Sequence, residues 1–253
     1  IEYQPHENDI PTDHNRPYEM VVGHAKRRNI LLPRGTEITR DTPPGHFNAI
    51  FLKDVDELEQ DNLLDVIETA NEQGGFVFWN HPGWKGPERG KWGEIQEAAY
   101  ENKWLHGIEV FNGGTYYPEA HQYAVEHDLT ILGTSDIHDP SLILERTIDV
   151  HRTITLVFVR ERTLDALREA LFEGRTVVWF KNQLIGQEKY LDALFDGSVK
   201  VKPPYYSTDS AYWFEIDNQS EIDFLLERAG DYGPERLIIP AESTVQMMVK
   251  CDE

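Results

Sequence analysis

Between Asn15 and about Arg175, short apolar runs alternate with one-sided helical stretches. That rhythm restricts the chain to α/β architectures built from successive strand–helix units. The spacing predicts a helix over 17–28, a strand at Ile30-Leu31-Leu32 and, after the Pro43-Pro44-Gly45 turn, a β-type run over 46–52. Residues 59–73 place Leu63, Leu64, Ile67 and Ala70 on one helical face and stop at Gly74-Gly75, ahead of a buried strand over 76–79. Helix 93–104, strand 107–111, helix 118–128 and strand 129–133 continue the series. Strand 153–159, helix 163–173 with Thr163 as its cap, and strand 176–180 close it. Helical patterns of about 10–15 residues between strands imply a largely parallel sheet or barrel. From about Val199 the style changes to short antiparallel strands around Pro203-Pro204, 212–216 and 237–239. The expected organisation is a barrel domain over 1–198 and a small β-rich domain over 199–253.

The polar residues fall in an informative place. In parallel α/β folds the loops after the strands converge at one end of the sheet, and ligands bind there. Glu37 follows the first apolar run, His81 follows 76–79, Glu109 and Asn112 flank the end of 107–111, and Asp136 with His138 follow 129–133. His46 opens its own run and is a less tidy member. Asp136 and His138 stand at i and i+2, which on an extended segment puts both side chains on one face. A carboxylate with imidazoles suits Zn, Mn or Fe. His106, His121 and His127 sit in or beside expected helices and read as solvated or packing residues, and His24 as an exposed one.

Composition narrows the partners. With 24 Lys and Arg against 45 Asp and Glu the net charge is −21, which argues against a nucleic-acid backbone or an anionic lipid surface as the main partner. The single cysteine, Cys251, excludes an intrachain disulfide framework and a cysteine-based zinc cluster. No apolar run approaches the ~20 residues of a membrane helix.

Gly35-Thr36-Glu37-Ile38, Gly45-His46-Phe47-Asn48, Asn80-His81-Pro82-Gly83, Gly107-Ile108-Glu109-Val110 and Ser135-Asp136-Ile137-His138 occur in that order. The set resembles the later motifs of the polymerase and histidinol phosphatase (PHP) family of metal-dependent phosphoesterases, over roughly residues 1–180. The resemblance implies a distorted (β/α)7 TIM-like barrel with two or three divalent ions at the carboxyl-end face. It makes Glu37 a bridge between ions and His46, His81, Asp136 and His138 ligands. The family's His-x-His pair on the first strand, the acidic residue after it and the second-strand His have no counterpart here. The resemblance therefore also implies that N-terminal strands are missing and that these 253 residues are part of a longer active chain.

The expected activity is hydrolysis of a small-molecule phosphate ester by a metal-activated water. His6 and Arg40 are candidates for leaving-group or phosphate contacts, and Arg152 for anion binding or pairing with a carboxylate. The same chemistry admits an amidohydrolase-like enzyme acting on C–N or C–O bonds, and the same barrel admits a metal-free binding module.

Overall fold

A computed structural model describes residues 13–138, 151–181 and 183–250. The chain divides into two compact units. Among the described residues the first holds 13–138 and Arg152–Phe180, and the second holds His151, Lys181 and 183–250.

In chain order the first unit contains α1 (Arg16–Arg27), β1 (Gly35–Ile38), β2 (Phe47–Ile50), α2 (Leu63–Glu72), β3 (Phe76–Trp79), α3 (Glu94–Glu101) and β4 (Gly107–Asn112). It continues with β5 (Thr115–Tyr116), α4 (Pro118–Glu126), β6 (Thr130–Thr134), β7 (Ile154–Val157), α5 (Leu164–Phe172) and β8 (Thr176–Phe180). Helix α2 shows how local sequence sets these limits. The Asn62 side chain accepts from the backbone N–H groups of Leu64 and Asp65, satisfying donors the first turn leaves open. Leu63, Val66, Ile67 and Ala70 form its buried face. The helix then stops because Gly74 takes φ +83°, a left-handed conformation that glycine adopts without strain. Thr163 caps α5 as expected, accepting from Ala166 N–H at 3.2 Å. Helices α2 and α5 pack on β3, and α4 packs on β4.

Strands β1, β2, β3 and β4 lie side by side in that order, and both β5 and β6 pair with β4. The sheet is mixed rather than largely parallel: β3–β4 and β4–β6 are parallel, whereas β1–β2 and β2–β3 are antiparallel. A parallel crossover needs a dozen or more residues, and the link from Ile38 to Phe47 is too short for one. The chain turns straight back, pairing Ile38 with Phe47. The expected strand at Ile30-Leu31-Leu32 is absent, and pairing begins at Gly35 instead. Pro33 offers no ladder donor, Ile30 is 53% exposed and Leu31 and Leu32 are only half-buried, so the run enters no ladder.

The core lies behind the strands. Phe76, Phe78, Leu132 and Leu171 form one buried cluster, flanked by Ile50, Phe51, Val157 and Leu167. Strands β7 and β8 form an antiparallel pair that meets the main sheet through threonine hydroxyls. Thr130 Oγ1 donates to Leu171 C=O, Thr176 Oγ1 to Ile131 C=O, and Thr155 Oγ1 both receives Gly133 N–H and donates to Gly133 C=O. Only glycine fits at 133, since a Cβ there would lie 2.4 Å from Val178 Cγ1.

The second unit contains β9 (Gln183–Gly186), α6 (Glu188–Ser198), β10 (Val199–Val201), β11 (Tyr206–Ser207), β12 (Ala211–Asn218), β13 (Phe224–Glu227), β14 (Arg236–Ile239) and β15 (Ser243–Lys250). Strand β12 is central, with β15 antiparallel along its whole length and β10 and β11 paired to its other side. Strands β13 and β14 form a hairpin, and buried Asn218 pins the turn before it by donating to the carbonyls of Ile222, Ile239 and Pro240. Among the described residues no helix is long and apolar enough to cross a membrane.

Candidate metal centre

The reversal between β1 and β2 decides where the site forms. Because β2 runs antiparallel to both β1 and β3, its first residues lie beside the last residues of those two strands. His46, directly before β2, therefore meets Glu37 near the end of β1, and Asn80 N–H donates to His46 C=O at 2.9 Å. His81 follows one residue later. Strands β4 and β6 run parallel to β3, so Asp136 arrives at the same end from the loop after β6. The least tidy residue of the sequence pattern thus joins the site for a topological reason.

Glu37, His46 and His81 each offer a ligand atom, and the three atoms lie within 4.8 Å of one another. Nδ1 of His46 is 2.6 Å from Oε1 of Glu37. The rings of His46 and His81 meet edge to face at 5.0 Å, and Nε2 of His81 lies 4.0 Å from Oδ2 of Asp136. Burial lowers the pKa of His81 below the usual imidazole value, and His46 adds to this against the opposing pull of Asp136 and Glu37. The neutral form so favoured is the one that binds a metal. Nδ1 of His81 is buried with no hydrogen-bond partner among the described residues.

These residues line a pocket of about 250 Å³ together with Trp84, Asp136 and His138. His138 stands at its rim, its side chain 76% exposed and its Nδ1 3.8 Å from Oδ1 of Asp136. Asp136 takes φ +45°, so the Asp136–His138 segment is not the extended one that the i, i+2 spacing predicts. The turn, rather than strand alternation, is what brings Asp136 toward His81.

Arg40 spends its guanidinium on the carbonyls of Thr39 and Gln60, and Arg152 is half-buried. Neither lines this pocket among the described residues, and His6 lies outside them. Glu109 is 1% exposed and sits beneath the cluster rather than in it, accepting three hydrogen bonds. Burial pushes its carboxyl up to about 7 against those three donors. His106 is a packing residue, ringed by Phe76 and Phe172. Sequence reasoning passed over Trp84, whose indole is 5.7 Å from both His46 and His81. The signal was an aromatic residue in the tight turn after a strand end: Trp84 N–H donates to His81 C=O at 3.1 Å, folding the ring back over the site.

A mixed α/β sheet with imidazoles and carboxylates gathered at one end has the make-up of a metal-dependent barrel enzyme. Among solved structures the chain is similar to a two-domain protein from Bacteroides vulgatus ATCC 8482 containing a predicted PHP-like metal-dependent phosphoesterase. The two share 38% identity over all of this chain and 76% of that one, with a TM-score of 0.89. No protein-family model and no curated protein matches. The chain belongs to the PHP-like metal-dependent phosphoesterase family, and its first unit has that family's distorted barrel-like fold.

Proposed function

We propose that this protein is a metal-dependent phosphoesterase that releases phosphate from a small phosphate ester bound in the pocket beside Trp84. The observation that carries the reading is the convergence of Glu37, His46 and His81 at one end of the sheet. The donor set fits a divalent ion: two imidazoles and a carboxylate suit Zn, Mn or Fe, and His81 has a buried ring nitrogen in need of a partner. Glu37, His46 and His81 would hold the first ion, and Asp136 with His138 would extend the set to a second or third. Bound divalent ions supply an activated water and neutralise charge on the phosphoryl oxygens.

The residues of the chain have separate tasks. Glu37 holds His46 in place through the Nδ1 contact. Asp136 places negative charge 4.0 Å from Nε2 of His81, on the side where an ion between the two would sit. Trp84, 49% exposed, gives one wall of the pocket an apolar face on which the alcohol part of the ester packs. Against a background of −21, a cation held in this cluster is what makes the pocket attractive to a phosphate. We assign this chemistry to the first unit, whose strand ends carry the site, and read the barrel domain as ending at Phe180, where the compact units divide, rather than at 198.

Metal content and a panel of phosphate monoesters test the reading. Purified protein is expected to retain about one divalent ion or more per chain and to release phosphate, with activity lost on chelation and restored by Mn or Zn. Fewer than ~0.2 ions per chain would overturn it. Retained metal with turnover of amides or carboxylic esters, and none of phosphate esters, would favour the amidohydrolase-type reading. Trp84→Ala is expected to raise KM about tenfold for esters of bulky alcohols, while kcat changes less than about threefold. An unchanged KM across the panel would remove the indole from the substrate wall.

A further inference from the structure

Glu109 is a buried carboxylate that the proposed chemistry does not use, and both of its oxygens are engaged. Its Oε2 accepts from His81 N–H and Asn112 Nδ2, each at 2.9 Å, and its Oε1 accepts from Thr134 Oγ1 at 2.6 Å. Residues three apart on a regular strand point to opposite faces, so Glu109 and Asn112 should not meet. A bulge makes them meet. The β4–β6 register slips between Glu109 and Phe111, and the extra residue, Val110, turns Asn112 onto the face that Glu109 occupies.

The bonds of Glu109 reach two neighbouring loops. His81, after β3, takes φ +22°, and Asp136, after β6, takes φ +45°. Such conformations cost of order 1 kcal/mol or more outside glycine and persist where the surroundings over-determine them. Glu109 holds the first loop by its strained residue's own N–H. It holds the second through Thr134, two residues before Asp136.

We infer that Glu109 is a positioning residue, the strut that fixes the distance between His81 and Asp136 and so sets the affinity of the site for its ion. The inference rests on the reading of those two residues as metal ligands. Leucine is close to glutamate in size and offers no acceptor, so at position 109 it leaves His81 N–H, Asn112 Nδ2 and Thr134 Oγ1 without this partner.

The test measures Mn and Zn binding by titration calorimetry and amide hydrogen exchange at His81 in the metal-free protein, for wild type, Glu109→Leu, Thr134→Val and Thr134→Ser. Glu109→Leu is expected to weaken binding about 10- to 100-fold, the range for groups that orient metal ligands. It is also expected to speed His81 exchange at least tenfold, with exchange in α2 and β3 unchanged. Thr134→Val should weaken binding several-fold, and Thr134→Ser, which keeps the hydroxyl, should restore it. Unchanged affinity or unchanged His81 exchange in Glu109→Leu overturns the inference, and should that variant not fold, an unaffected Thr134→Val does so. A wild type that binds no ion, with His81 exchange still altered by Glu109→Leu, overturns the metal-site reading and leaves the strut standing.

Discussion

Replacing Glu37 by Gln is expected to lower phosphate release by about 10³-fold or more, with the circular dichroism spectrum and melting temperature close to those of the parent. Two effects combine at this position. The site loses a carboxylate that, alone among the described residues, groups with both His46 and His81, and with it negative charge that attracts the ion. The Nδ1 atom of His46 also loses its charged partner at 2.6 Å. Metal ions supply several kcal/mol of transition-state stabilisation, and about 4 kcal/mol corresponds to ~10³ in rate. Fold stability should be little affected, because Glu37 lies on the edge strand β1 and makes none of the apolar contacts of the core. Asp136→Asn is expected to act in the same direction. Steady-state kinetics with saturating Mn or Zn, alongside metal analysis of each variant, make the measurement. A Glu37→Gln enzyme within tenfold of wild type would place the ion elsewhere.

The second large effect concerns acid stability. His106 packs against Phe76 and Phe172 behind the sheet, and its Nδ1 accepts Val77 N–H at 3.0 Å. Burial lowers its pKa from 6.5 to about 4. The folded protein thus keeps this imidazole neutral in a range where the unfolded chain takes up a proton, so the stabilisation is full above pH 6.5 and is lost as pH falls toward 4. A difference of about 2.5 units corresponds to about 3 kcal/mol. Glu109 works in the opposite direction: its carboxyl is raised from 4.5 to about 7, so its contribution is present below pH 4.5 and is lost as pH rises toward 7. The two partly cancel in the wild type, and the clean readout is a difference. His106→Asn keeps an acceptor for Val77 N–H and carries no charge at either end of the range. Urea denaturation at pH 7 and pH 4.5 is expected to show the wild type losing more stability than His106→Asn over that interval. Equal losses would show that His106 takes up its proton without disturbing the fold.

Much of this could be read from the sequence because burial and chemistry there follow separate rules. The run 76–79 is apolar at every position and is buried at every position, so its end and the His81 beyond it were easy to locate. The same reasoning failed at Ile30-Leu31-Leu32, where an apolar triplet precedes a proline and never enters a ladder. Strand direction was not legible either. Whether β2 runs with or against its neighbours depends on a short link, and that direction alone determines whether His46 faces Glu37 or lies at the far end of the sheet. The turn at Asp136 and the bulge at Val110 were not legible for a related reason. Each depends on a backbone departure from regular geometry, which residue spacing does not record.

The tight link between β1 and β2 also sets the order in which the cluster can be assembled. Glu37 and His46 are nine positions apart, so bringing them together closes a short loop at small entropic cost. His81 and Asp136 must be brought in across far longer stretches of chain, with strands β3, β4 and β6 in register first. During synthesis the residues that supply Glu37 and His46 also leave the ribosome before those that supply His81 and Asp136. Completion of the cluster reports that the long-range pairing has succeeded.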